Sequence, residues 1–423
     1  MLDVLRNALR ISDLRRKILY TAALLIVFRI GSFVPVPGVD AAALSESLGI
    51  GSGNIFGFLN MFTGGALGRF TIFAMGVNPY ITASIILQLL TVVIPKLEEL
   101  AKEGIEGRKK LQQYTRYGTV LLGLIQGYAI TMLARSSGVL VDPSFFVLTL
   151  IVLTLTAGTS FLMWLGEKIT EHGIGNGISL IIFAGIVAEL PVSFVQAIQS
   201  VGQGGISIFS LLLLLVLGVL IIAAVVMVQE GQRRIPVQYA KRMVGRRMYG
   251  GQSTHIPLRI NSAGVIPVIF ASSILTFPLT LAQFIPAITP FVDRWFGIGT
   301  FAYNVMYAIL VIFFTYFYTA VTFNPVEVAN NMRKHGGFIP GLRPGRPTSE
   351  YLDRILTRIT LAGAIFLAFI AVLPYIMAGL TRIPLTFVFF GGTSLLIMVG
   401  VALDTMKQIE AHLLMRHYEG FMK

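Results

Sequence analysis

The 423-residue sequence contains no cysteine, which excludes disulfides and thiolate-bound metal. It is also poor in charge. Asp, Glu, Lys and Arg make up 13% of it, where a soluble domain carries about 25%. So small a charged fraction cannot solvate a water-facing surface, and lipid is the expected solvent around most of the chain. Nucleotide-binding signatures are missing. No Gly-x-x-x-x-Gly-Lys-Ser/Thr loop occurs, and Gly173-Ile-Gly-Asn-Gly177 lacks the dinucleotide spacing and follows no strand pattern. The histidines, His172, His255, His335, His412 and His417, lie scattered outside the apolar runs without metal-ligand spacing. A serine nucleophile at Ser160 or Ser394 would need a base at membrane depth, and no histidine stands there. The expectation is a protein that is not an enzyme and needs no cofactor or metal.

Long apolar runs are present instead, with 55% hydrophobic residues and a mean hydropathy of +0.78. Roughly 17–25 apolar residues cross a hydrocarbon core as a helix. Ten such runs are found, near Ile18–Val36, Phe70–Ile94, Gly118–Leu133, Phe145–Leu165, Ile174–Leu190, Ile208–Val228, Ala263–Phe284, Ala302–Phe323, Thr360–Met377 and Leu385–Leu403. The first is too long for a cleaved signal peptide. It ends in Val34-Pro35-Val36-Pro37-Gly38 with no small-x-small site after it.

The charge balance is basic, with a net +13. If ten spans alternate, 28 of the 33 Lys and Arg residues fall on one side. They occupy the N-terminal tail, the loops after spans two, four, six and eight, and the C-terminal tail. Missing one span would scramble that segregation. The positive-inside rule then places both termini in the cytoplasm. Two of these loops, about 229–261 and 324–359, are long and rich in turn residues. They read either as solvated loops near anionic lipid headgroups or as docking surfaces.

Within the spans Arg29 reads as the exceptional charge, placed to snorkel to the outer interface. Such sparing use of intramembrane charge argues against ion-coupled transport. Prolines at Pro79, Pro267 and Pro278 are expected to kink spans two and seven. Ser84, Gln88, Thr91, Gln126, Ser272, Ser273 and Thr276 are polar groups that prefer a partner helix or water to lipid. The apolar stretch Asn54–Phe70 is too short to cross, and Gly64, Gly65 and Gly68 interrupt it. It reads equally as an outer surface loop or as a half-helix folded back into the protein, where irregular backbone is tolerated.

Nine strings in order resemble the SecY family of protein translocation channels. They are Phe28-Arg-Ile-Gly-Ser-Phe33, Asn60-Met-Phe-Thr-Gly-Gly-Ala-Leu67, Pro79-Tyr-Ile-Thr-Ala-Ser84, Gln113-Tyr-Thr-Arg-Tyr-Gly118, Gly173-Ile-Gly-Asn-Gly-Ile-Ser179, Gly231-Gln-Arg-Arg-Ile235, Gln252-Ser-Thr-His255, Phe338-Ile-Pro-Gly-Leu-Arg-Pro-Gly345 and Gly391-Gly-Thr-Ser-Leu-Leu396. The resemblance covers essentially the whole chain and is closest to the bacterial branch.

That resemblance implies an all-α polytopic membrane protein. Ten transmembrane helices would form two pseudo-symmetric halves of five, 1–191 and 192–423, as in other inverted repeats. Residues about 55–70 would be a short re-entrant plug helix, with Asn60, Met61, Phe62, Thr63, Gly64, Gly65, Ala66 and Leu67 as its core. Val77, Ile81, Ile178, Ile182, Ile269 and Ile397 would form a constriction ring. It would gate by dewetting and offer ions no polar group. Ser84, Gln88, Thr91, Gln126, Ser273 and Thr276 would line a lateral gate, held closed by hydrogen bonds and opening toward lipid for signal sequences. Arg233, Arg234, Arg246, Arg247 and Arg343 would dock the ribosome and the ATP-driven motor SecA.

The membrane partners implied are SecE and SecG, with anionic lipid at the basic face of a bacterial plasma membrane. The implied function is conduction of unfolded polypeptides, driven by partners. The rival is a small-solute secondary transporter, which would need a polar or charged midplane site. A lipid-insertion scaffold without a pore is the third reading.

Overall fold

The computed structural model describes residues 10–47, 55–140, 142–202, 207–239, 242–244, 247–249, 253–282, 288–297, 299–381 and 392–421. The chain is mostly helical. In order, the helices are α1 (Ser12–Gly31), α2 (Ala41–Ser47), α3 (Ile55–Phe62), α4 (Asn78–Val93), α5 (Pro95–Lys102), α6 (Ile105–Ser136), α7 (Phe145–His172), α8 (Gly177–Gly202), α9 (Ile208–Glu230), α10 (Ile266–Ala282), α11 (Thr289–Phe296), α12 (Phe301–Thr322), α13 (Pro325–Lys334), α14 (Arg346–Thr381) and α15 (Thr393–Phe421). Each of the ten apolar runs overlaps one of them.

Length and composition alone qualify fewer as membrane spans. Among the described residues six helical segments are long and apolar enough: Ile105–Ser136, Phe145–His172, Gly177–Gly202, Ile208–Glu230, Phe301–Lys334 and Arg346–Ala378. The pair α4 and α5 makes a seventh if its 102° bend is counted within one span. The others fall short for visible reasons. α1 carries Arg15, Arg16 and Lys17 in its first turns, α10 is short, and α15 runs on into Asp404 and Lys407.

Proline marks boundaries more often than kinks. Pro79 stands in the first turn of α4 and Pro95 in the first turn of α5, where the missing N–H has no helical partner to lose. Pro267 likewise lies in the first turn of α10, and Pro278 lies inside it. The expected span Phe70–Ile94 is therefore helical only from Asn78, and the residues before it form turns. The division expected at residue 191 falls inside α8, which continues through Pro191 to Gly202.

The largest apolar cluster of the core draws on α1, α3, α4, α7, α8, α9, α10, α12, α14 and α15, and smaller clusters stand apart from it. Small residues allow the backbones to approach. A Cβ on Gly158 of α7 would collide with the carbonyl of Ile72. Large aliphatics on α9, such as Leu212, Leu215 and Val219, remain exposed on the outer surface, as lipid-facing positions require.

The two long basic loops are folded, and this adds strands to the all-helical expectation. Strand β1 (Gln232–Tyr239) pairs antiparallel with β4 (Ser253–Arg259), in a register that sets Arg234 opposite Pro257. It also pairs with β5 (Gly337–Phe338), Gln238 opposite Phe338. Strands β2 (Arg242–Val244) and β3 (Arg247–Tyr249) form a separate hairpin. Alternate residues of a strand face opposite ways. Ile235 and Val237 thus point inward, packing with Leu258, Ile339, Leu352 and Ile355. The sheet joins the loop after α9 to the loop after α12.

Candidate functional site

A cavity of about 90 Å³ lies where the segment 55–70, α4, α6, α8 and α10 meet. Val77 and Ile81 reach it from the start of α4, Ile182 from α8 and Ile269 from α10. Each is at most 6% exposed. Ile397, fully buried, and half-buried Ile178 belong to the same apolar cluster without bordering the cavity. The Cδ1 of Ile178 fills the space that a Cβ on Gly166 of α7 would need.

The segment 55–70 is folded back into the protein. Leu59, Phe62, Thr63 and Leu67 close one side of the cavity, and Met61, Gly64, Gly65 and Ala66 are buried. The turn after α3 is held by its own polar groups. Asn60 Oδ1 accepts from the Gly68 N–H at 2.6 Å, and Thr63 Oγ1 accepts from Leu67 N–H at 3.2 Å. Gly64 and Gly65 adopt φ of +67° and +83°, values glycine adopts without steric cost. A Cβ on Gly185 of α8 would stand 2.7 Å from the Phe62 carbonyl oxygen. Only a glycine lets α8 come so close.

Gln126, Ser273 and Thr276 also line the cavity, together with Asn78, Thr82 and Ser272. Ser84, Gln88 and Thr91 lie further along α4 and do not border it. The expected hydrogen bonds across the gate are not what Gln88, Thr91 and Ser273 make. Gln88 Nε2 donates to Ser84 Oγ at 3.2 Å, Thr91 Oγ1 to the Gln88 carbonyl at 2.7 Å, and Ser273 Oγ to the Ile269 carbonyl at 2.9 Å. All three stay within their own helices, as hydroxyls and amides one turn from a free acceptor tend to do.

Arg233 and Arg234 are exposed on β1, and Arg343 is exposed in the turn after β5. The Arg343 carbonyl accepts from Thr348 Oγ1 at 2.9 Å, which ties that turn to the start of α14. Arg247 begins β3, and Arg246 lies outside the described residues.

The family model for SecY matches residues 71–406. The chain belongs to the SecY family. It is 52% identical to the protein translocase subunit SecY of Halalkalibacterium halodurans over 436 residues, covering 100% of both chains. The SecY subunits of Mycobacterium tuberculosis H37Rv and Escherichia coli K12 are 50% and 48% identical, and the latter match covers 98% of this chain and 95% of the relative. Solved structures share the fold at lower identity. A protein conducting channel superposes with a TM-score of 0.67 at 20% identity, covering 93% of this chain and 91% of that one. A SecY protein whose plug domain stabilises the closed state of the translocation channel gives 0.66 at 19%. Sec61 in the canine ribosome–channel complex gives 0.63 at 19%.

Two polar groups gain a role that the sequence alone does not reveal. Arg29, half-buried at the end of α1, has a partner that the snorkelling reading does not foresee. Its Nη1 donates to the Gly64 carbonyl at 2.8 Å. Glu189, inside the fifth apolar run, escaped notice although the charge stands one residue from Leu190. Gly185 was readable as a glycine in an apolar helix, but nothing in the sequence names the carbonyl it faces.

Proposed function

We propose that this chain is the pore subunit of a protein-conducting channel that passes unfolded polypeptides across a bacterial plasma membrane. It also releases signal sequences and membrane segments sideways into lipid. One observation carries the reading: four of the six aliphatics, five residues of the segment 55–70 and three gate residues surround the same cavity. In this reading ten spans form two halves of five around the pore, with both termini cytoplasmic.

Val77, Ile81, Ile178, Ile182, Ile269 and Ile397 form the constriction. A ring without polar groups dewets and leaves ions no ligand, while its aliphatic rotamers mould around a passing chain. The plug fills the outer funnel at rest. The gate lies between α4 and α6 on one side and α10 and α12 on the other. Its polar groups at Gln126, Ser273 and Thr276 ease the entry of hydrated segments. Ser84, Gln88 and Thr91 extend that polar strip along α4.

The sheet built from the two cytoplasmic loops presents Arg233, Arg234 and Arg343 to the ribosome and to the motor SecA. The same docking role is read for Arg246 and Arg247 from the family resemblance. SecE and SecG stand beside the chain in the membrane, and anionic lipid meets the basic loops. The energy comes from these partners.

Reconstitution tests this. Proteoliposomes holding the chain with SecE and SecG import a precursor when SecA and ATP are added, and they take up no small solute down or against an ion gradient. Gradient-driven solute uptake without precursor import would contradict the proposal.

A further inference from the structure

Away from the apolar cavity the segment 55–70 has a second, polar attachment. Arg29 of α1 holds the Gly64 carbonyl at 2.8 Å. Its guanidinium carbon lies 4.7 Å from the centre of the Phe33 ring, and that of Arg69 lies 4.4 Å from the same centre. Glu189 of α8 completes the group. The charged side chains that face it are Arg69 and Arg29. A Cβ on Gly65 would lie 2.9 Å from Glu189 Oε2 and 3.4 Å from Arg69 Nη2, so both charged heads converge on one glycine. Glu189 Oε2 and Arg69 Nη1 are buried and find no hydrogen-bond partner among the described residues.

A buried charge is tolerated when an opposite charge faces it and is costly when left alone. Here Arg29 and Glu189 stand on α1 and α8, whereas Arg69 and the Gly64 carbonyl belong to the plug and meet those two residues only while the plug is seated. Displacing the plug would break the Arg29–Gly64 bond and carry Arg69 away from Glu189. We propose that Arg29, Arg69 and Glu189 form an electrostatic latch that holds the Gly64–Gly65 turn in place and sets how often the plug leaves its seat. This deepens the reading of residues 55–70 as a plug and rests on it.

The cysteine-free sequence makes the test direct. Met61 is buried in the plug, and Met61→Cys supplies a single thiol. The full chain is reconstituted in proteoliposomes, and labelling from the outer side by a membrane-impermeant maleimide is timed. Glu189→Lys replaces attraction by repulsion and is expected to raise the labelling rate about tenfold or more. Glu189→Lys combined with Arg69→Glu restores the pairing and is expected to return the rate to within about threefold of the parent. Glu189→Gln, which keeps the shape, is expected to give a smaller rise with an unchanged thermal midpoint, and it decides the matter if the lysine variant fails to fold. Unchanged labelling in the variants that fold overturns the latch. Deletion of residues 60–70 separates the two ideas. If that deletion raises ion conductance while Glu189 variants label normally, the plug reading stands and the latch falls. If the deletion leaves conductance unchanged, the plug reading itself falls.

Discussion

Gly185 of α8 lies against the carbonyl of Phe62, so close that a Cβ there would stand 2.7 Å from that oxygen and 3.1 Å from the Gly64 nitrogen. Both contacts are backbone, which cannot rotate away. Overpacking of this kind costs about 1–3 kcal/mol. Gly185→Ala is expected to shift the plug toward its displaced state and to raise the ion leak of proteoliposomes about fivefold or more. Gly185→Leu should raise it further. A leak equal to that of the parent for both variants would show that the plug does not depend on this seat.

Ile182 is 1% exposed and borders the cavity. Ile182→Asn places an amide where the proposed constriction has only aliphatics. It gives water and ions a partner, and resting conductance in planar bilayers is expected to rise about tenfold or more. Ile182→Val, which removes one methylene, should cost about 0.5–1.5 kcal/mol of stability and leave conductance close to the parent value.

Arg343 is exposed, and its carbonyl is tied to Thr348. Its side chain is therefore free to meet a partner without holding the fold together. Arg343→Glu is expected to abolish most SecA-driven precursor import while membrane insertion and the thermal midpoint stay unchanged. Normal ATP-dependent import by this variant would remove Arg343 from the docking surface.

Leu352 is fully buried beneath the sheet of β4, β1 and β5 with Ile235, Val237 and Ile355. Leu352→Ala leaves a cavity costing about 2–5 kcal/mol. The loss should appear as faster proteolysis within the loop about 229–261, because β1 loses its backing, while the membrane helices stay protected. Uniform proteolysis along the chain would indicate that the sheet is not a separate packing unit.

Gln88 bonds to Ser84 in its own helix. Gln88→Leu therefore frees a hydroxyl on α4 and makes that strip more apolar. A signal-sequence selectivity assay should show a shifted balance toward the open gate, read as export of precursors with defective signals. Unchanged selectivity would count against Gln88 as a gate residue.

The helices were legible because an apolar run long enough to cross lipid has few other uses. The helix α3 was not, because the glycines after it suit a surface loop as well as a half-helix folded back into the protein. The boundaries were less so. Pro79 and Pro267 read as kinks but stand in first turns, since proline is equally suited to both. The sheet of β4, β1 and β5 is not legible because its inward residues, Ile235 and Val237, alternate over only a few positions and meet partners more than a hundred residues away in α14. The aliphatic ring was invisible to composition, since isoleucine in an apolar helix looks the same toward pore, core or lipid. The resemblance to a family singled it out. Arg29 was judged by depth alone, and the Gly64 carbonyl that holds it belongs to a turn whose path the sequence does not spell out.

The path of the translocating chain is the central claim. A precursor carrying one cysteine and stalled midway should form a disulfide with Ile182→Cys and with Ile269→Cys, and none with Leu215→Cys, which is 49% exposed on the outer face of α9. Cross-linking at Leu215→Cys, with none at the two cavity positions, would contradict the account.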